Sequence, residues 1–117
     1  MKNTPDKWVV IKIGTEEPIY KVFATWYGGY LDGDSWKMNS GIKGVDISNE
    51  TFSGDFSGFF IFHGYSGSAY KCHYKAYGTS SYTQGVLDSI IKKAKEAYPD
   101  KPIEVLPEDT DWINLLT

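Results

Sequence analysis

The stretch Tyr74-Lys75-Ala76-Tyr77-Gly78-Thr79-Ser80-Ser81-Tyr82-Thr83-Gln84-Gly85 gathers more usable chemistry than any other part of the sequence. It reads as the end of a strand, a polar loop and the start of a helix. A helix N-terminus leaves backbone amides unpaired and carries a partial positive charge, so it suits a phosphate even without arginine. Thr79, Ser80, Ser81 and Thr83 add hydroxyls, and Lys75 adds charge. Tyr77 and Tyr82 offer rings that stack on a nucleobase. The same residues also fit a plain helix cap, because Ser81 with Gln84 three residues later matches the capping box, Ser81 being the N-cap. Both readings stand on the sequence alone.

A second cluster runs from Tyr27 to Ser40, YGGYLDGDSWKMNS. Trp26, Tyr27, Tyr30 and Trp36 are too many large rings for one small core, so some should face a ligand or another subunit. Asn39 is a candidate to read a base edge or a ribose. A tight hairpin with aromatic cross-strand pairs explains the cluster equally well. Asp32-Gly33-Asp34 has the carboxylates for a divalent cation but lacks the further ligands of an EF-hand loop, and Asp-Gly is a common turn.

Signals for catalysis or resident metals are weak. The chain has no P-loop, dinucleotide-binding glycine turn, nucleophile elbow or HExxH helix. Cys72 and His73 adjoin on a strand and face opposite sides, which is incompatible with a shared zinc site completed by His63. A Cys72–His63 nucleophilic pair is the remaining covalent option, set against a buried structural cysteine between Tyr70 and Tyr74. A hydrolase using Cys72 or the Asp32/Asp34 pair is the third-ranked function. We expect no enzyme, no metal and no cofactor.

Composition narrows the partners. The 117 residues carry a net charge of −3, and every one of the 12 cationic side chains is a lysine. The bidentate fork that grips phosphates and guanine edges is therefore missing, and no polymeric nucleic acid is expected. Nine tyrosines, with Gly, Ser, Thr and Asn in the loops, suit recognition at low entropic cost. Residues 71–101 have a local balance of +3, whereas the last sixteen carry Glu104, Glu108, Asp109 and Asp111 with no lysine. One cysteine excludes an intramolecular disulfide framework. No apolar run reaches the ~20 residues of a membrane helix, and the start MKNTPD has no signal-peptide core, so a cytoplasmic protein is expected.

The elements that position these groups follow from periodicity. KWVVIKI (7–13) and IYKVFATWY (19–27) read as strands, as do 35–40, 42–47 with a break near Gly44, GFFIFH (58–63) and 69–77. Ser53-Gly54-Asp55 and Ser57-Gly58 read as turns. Leu87, Ile90, Ile91, Ala94 and Tyr98 share one helical face, placing an amphipathic helix over about 82–98 that Pro99 stops. PIEVLP (102–107) fits an edge strand, and 109–116 one amphipathic turn. The expected fold is a single α+β domain, a mainly antiparallel sheet with that long helix on one face. An acidic tail, 107–117, is expected to dock on the core or on a neighbouring subunit through Trp112, Ile113, Leu115 and Leu116.

The stretches YLDGDSWKMNSGI and GSAYKCHYKAYGTSSYTQGVL look like those of small phage-encoded proteins of about this length. The chain resembles the anti-Thoeris sponge family over roughly residues 7–98. That resemblance implies tight binding of a cyclic ADP-ribose signal, hidden from an immune effector without cleavage. It also implies a dimer or higher homo-oligomer with pockets near subunit contacts. The absence of arginine departs from what such a pocket would use for phosphate, and no binding residue is carried over. The expected function is thus sequestration of a small nucleotide-like signalling molecule by a phage anti-defence protein. The alternative is a protein–protein interaction inhibitor that uses the aromatic loops and the acidic tail.

Overall fold

The apolar run near the N-terminus becomes strand β1 (Lys7–Ile13), which sends Trp8 and Val10 to one side and Val9 and Ile11 to the other. All four are almost sealed from solvent, so both faces of this strand must be covered. The computed structural model describes residues 4–28, 35–52 and 55–116, with the side chains of all of these except 49–52 and 55–57. Within them, β1 lies inside a four-stranded antiparallel sheet with β2 (Ile19–Trp26), β3 (Ser35–Met38) and β7 (Ile103–Val105), in the order β3-β2-β1-β7. The proline-flanked β7 occupies an edge.

A second antiparallel sheet holds β4 (Ile42–Phe52), β5 (Asp55–Gly64) and β6 (Ala69–His73), in the order β4-β5-β6. Its inward residues Val45, Phe62, Tyr70 and Cys72 share one core with Trp8, Val10, Val22 and Ala24 of the first sheet. The far side of the first sheet is covered by α1 (Ser81–Ala97), whose Leu87, Val86, Ile90 and Ile91 pack on Val9, Ile11 and Phe23. A short helix, α2 (Trp112–Leu116), inserts Trp112 into the inter-sheet core. The architecture is α+β and mostly antiparallel, in three layers: helix, four-stranded sheet, three-stranded sheet. No described helix is long and apolar enough to cross a membrane.

Four expectations need correction. There are two sheets rather than one, because the strands after residue 40 pair among themselves and stack on the first sheet by their apolar faces. The β4–β5 pairing runs through Ser57-Gly58, with Glu50 opposite Ser57 and Asn49 opposite Gly58, so ladder formation overrides the local turn signal there. The strand expected over 42–47 runs on to Phe52, while its expected break near Gly44 is present as a register shift between Ile42 and Gly44. The strand expected over 69–77 ends at His73, where the chain turns and crosses to the first sheet: Ala76 N–H donates to His73 O at 3.0 Å, and Gly78 N–H donates to Trp8 O at 2.9 Å. Gly78 makes this crossing at φ +138°, backbone that a side chain would strain.

Helix α1 is capped by Ser80, not Ser81. Ser80 Oγ accepts from Thr83 N–H at 3.2 Å, and Ser80 N–H donates to Thr83 Oγ1 at 2.9 Å, closing a reciprocal box one residue earlier than expected. Threonine substitutes for the longer Glu or Gln because its hydroxyl already reaches the cap amide.

Candidate functional site

Residues far apart in sequence meet where β6 ends. Trp8 lies at the centre of an aromatic cluster, with ring centroids 4.7 Å from Tyr77, 5.3 Å from Phe62, 5.8 Å from Trp112 and 6.2 Å from Phe60. Its indole N–H donates to His73 O at 2.7 Å, which fixes the turn that follows. Above this cluster an open cleft of about 520 Å³ is walled by the rings of Phe60, Tyr74 and Trp112. Lys75 stands on one side of the cleft, with Glu108, Asp109 and Thr110 of the tail on the other. The tail is held in place by its own turn, Thr110 Oγ1 and N–H both donating to Pro107 O.

A row of polar and aromatic groups continues from the cleft around the β6 edge. The Tyr74 and His73 rings stack at 5.3 Å and 12°, and His73 meets the edge of Phe59 at 5.1 Å. Lys71 Nζ sits 4.6 Å from the Phe59 centroid, and Lys75 Nζ sits 5.9 Å from that of Tyr74. His73 Nδ1 accepts the Lys75 N–H at 3.1 Å, so the neutral ring carries its proton on Nε2.

Among the described residues expected to form a site, only Lys75 lines this cleft. Tyr77 is enclosed by Trp8 and Trp112, and its hydroxyl joins Val10 N–H to Leu106 O; its ring is part of the core instead of a stacking surface. Burial pushes the Tyr77 phenol up to about 12, Glu108 pushing the same way and the Val10 hydrogen bond opposing. Thr83 is fully buried, and its hydroxyl closes the capping box with Ser80. Thr79 donates to Gln84 Oε1, so the hydroxyls of this loop serve the helix start. Ser81 is exposed in the first turn, and Tyr82 is exposed beside it. Trp36 stacks on Phe23 at 5.5 Å, on the α1 side of the first sheet and away from the cleft. Asn39 is buried, its Oδ1 accepting Val22 N–H at 3.0 Å, so it extends the β2–β3 ladder. Tyr30, Asp32 and Asp34 lie outside the described residues.

Sequence reasoning missed Phe60, Tyr74, Glu108, Asp109 and Thr110 as wall residues. Nothing local joins them, since Tyr74 and Glu108 lie in separate segments that converge through the burial of Trp112 and the bond from the Tyr77 hydroxyl to Leu106 O. The need of Trp112 for burial was legible, and it was the available clue.

The covalent pair is not formed. Cys72 faces the inter-sheet core opposite Phe60, whereas His63 faces outward and meets Asp46 Oδ2 at 2.8 Å. Burial pushes the Cys72 thiol strongly up, away from thiolate reactivity. Among the described residues, no three His, Cys, Asp or Glu side chains gather as a metal site.

Comparison with protein-family models, with curated proteins and with solved structures found no match for this chain.

Proposed function

We propose that the protein binds a small nucleotide-like molecule in the cleft between β6 and the tail and holds it without turnover. The observation that carries this reading is the convergence of three aromatic walls with one lysine and two carboxylates around a space of about 520 Å³. That volume falls within the range typical of small-molecule sites. A flat heterocycle gains stacking area from Phe60 and Tyr74. A ribose diol or an exocyclic amine pairs with carboxylates such as Glu108 and Asp109. Cys72 is buried in the inter-sheet core and is not among the residues that line the cleft. The resemblance to sponge proteins names the first ligand to try, a cyclic ADP-ribose, and sequestration in an infected cell is the biological setting it suggests.

Calorimetric titration with ADP-ribose and its cyclic isomers tests the reading, with the ligand recovered and analysed afterwards. Binding lost in Tyr74→Ala and kept in Tyr82→Ala, with unaltered ligand, supports the cleft. The opposite pattern returns the site to the start of α1, and altered ligand makes the protein an enzyme.

A second reading keeps a protein as the target. Tyr27, Tyr65, Tyr82 and Tyr98 are each more than 60% exposed, at 75%, 68%, 62% and 62%. Exposed tyrosines are what a paratope-like surface uses. A stable complex pulled from a host lysate, unaffected by nucleotides, would favour it.

A further inference from the structure

We propose that the cleft takes a ribonucleoside whose heteroaromatic ring carries a permanent positive charge, of the N-ribosylpyridinium type. The inference rests on the nucleotide reading above and names the class of ligand within it. Two carboxylates, Glu108 and Asp109, line the cleft against the single ammonium of Lys75. Among the described residues, no ion pair joins either of them to Lys75 or to another cation. Nearby Asp111 differs, because Asn114 donates to it from both its side chain, at 2.6 Å, and its backbone, at 3.3 Å. The cleft thus holds an excess of negative charge for an entering group to neutralise. Its position is fixed, since the bonds from Thr110 to Pro107 O span the two acids.

The walls suit a cation as well. Phe60, Tyr74 and Trp112 line the same space, and aromatic rings attract positive charge through their quadrupole. One of them already has such a neighbour: Lys75 Nζ lies 5.9 Å from the Tyr74 centroid. Lys75 is exposed, and its flexible stem lets the hydrated ammonium swing into water when another cation enters. A delocalised ring cation is more weakly hydrated than an ammonium, as guanidinium is, so it leaves water at lower cost. Such a ring uses in one group what the cleft offers separately, aromatic area and unneutralised carboxylates.

Titration of the full chain with nicotinamide riboside and with its reduced dihydropyridine form tests this. The two have nearly the same shape and differ in the charge of the ring. The cationic form should bind at least about tenfold more tightly at low salt. In the Glu108→Gln, Asp109→Asn double variant that ratio should fall at least about threefold, and in Lys75→Gln it should rise. All three side chains are exposed, and unfolding temperatures of the unliganded variants report whether the fold is intact. Equal affinities in the wild type, or a ratio that either variant fails to move in the stated direction, overturn the cationic-ring assignment and leave the nucleotide reading standing. Binding of ADP-ribose but of neither riboside form does the same. Binding of none of the three overturns both.

Discussion

The Tyr77 hydroxyl accepts the Val10 N–H at 3.1 Å and donates to Leu106 O, standing as a bridge inside a β-ladder. Leu106 N–H bonds Val10 O directly at 2.9 Å, so only one of the two bonds of this antiparallel pair is made backbone to backbone. The phenol supplies the other, and thereby ties the crossing after β6 to β1 and to the start of the tail. The cleft depends on this tie, because its two banks are the turn at Tyr74-Lys75 and the segment that follows Leu106.

Tyr77→Phe keeps the ring and removes the bridge. Val10 N–H and Leu106 O then lose their partner in a half-buried place, which costs about 1–3 kcal/mol. Chemical denaturation of wild type and variant measures the loss, and an unchanged midpoint would deny the bridge its structural role.

Trp112→Ala should cost more, about 3–5 kcal/mol, because a side chain only 2% exposed and in contact with Trp8, Phe62 and Tyr77 leaves a cavity. The tail should loosen with it, so proteolysis near 107–111 should quicken. Trp112, with Ile113 and Leu116 packed against the same core, is thus spent on its own chain, whereas Leu115 stays 39% exposed.

The cap position gives a sharper contrast. Ser80→Ala should destabilise by about 1 kcal/mol through loss of the reciprocal box, whereas exposed Ser81→Ala should stay within about 0.5 kcal/mol. Thermal unfolding of the two variants decides between the cap seen here and the one the Ser81/Gln84 spacing predicts.

Much of the fold was legible for physical reasons. β1 and the helix face of Leu87, Ile90 and Ile91 are runs whose periodicity leaves one solution. The proline-flanked PIEVLP became an edge strand because proline cannot donate to a ladder. The existence of two sheets was not legible, since β1 and β5 are both apolar and pattern alone does not say which strands pair. The site was legible only at Lys75. Its polar neighbours Thr79, Ser80 and Thr83 carry the same residue types in a cap as in a phosphate loop, and here the cap consumes them. The carboxylates and rings that face Lys75 come from elements whose meeting depends on tertiary packing around Trp8.

Stability should fall on the alkaline side. Burial raises Cys72 above its usual 9.0 and Tyr77 from 10.0 to about 12, so both must stay protonated in the folded chain. Their contribution is complete below pH 9 and declines as the unfolded forms ionise, first the thiol from about pH 9 and then the phenol between about 10 and 12. Denaturation midpoints from pH 7 to 11 should drop beyond pH 9, and Cys72→Ala should flatten the first part of that drop.

Thermal unfolding of the intact chain against a nucleotide panel decides whether the cleft is a nucleotide site. The panel includes adenosine, its monophosphate, ADP-ribose and its cyclic isomers, NAD and cyclic dinucleotides. A ligand at 100 times its dissociation constant stabilises by about 2.7 kcal/mol. At roughly 2–8 °C per kcal/mol for domains around this size, that is a rise of several degrees. Such a rise is expected for at least one phosphorylated member, abolished in Tyr74→Ala, with the compound recovered unaltered. A flat panel, or a rise that Tyr74→Ala leaves intact, would contradict it.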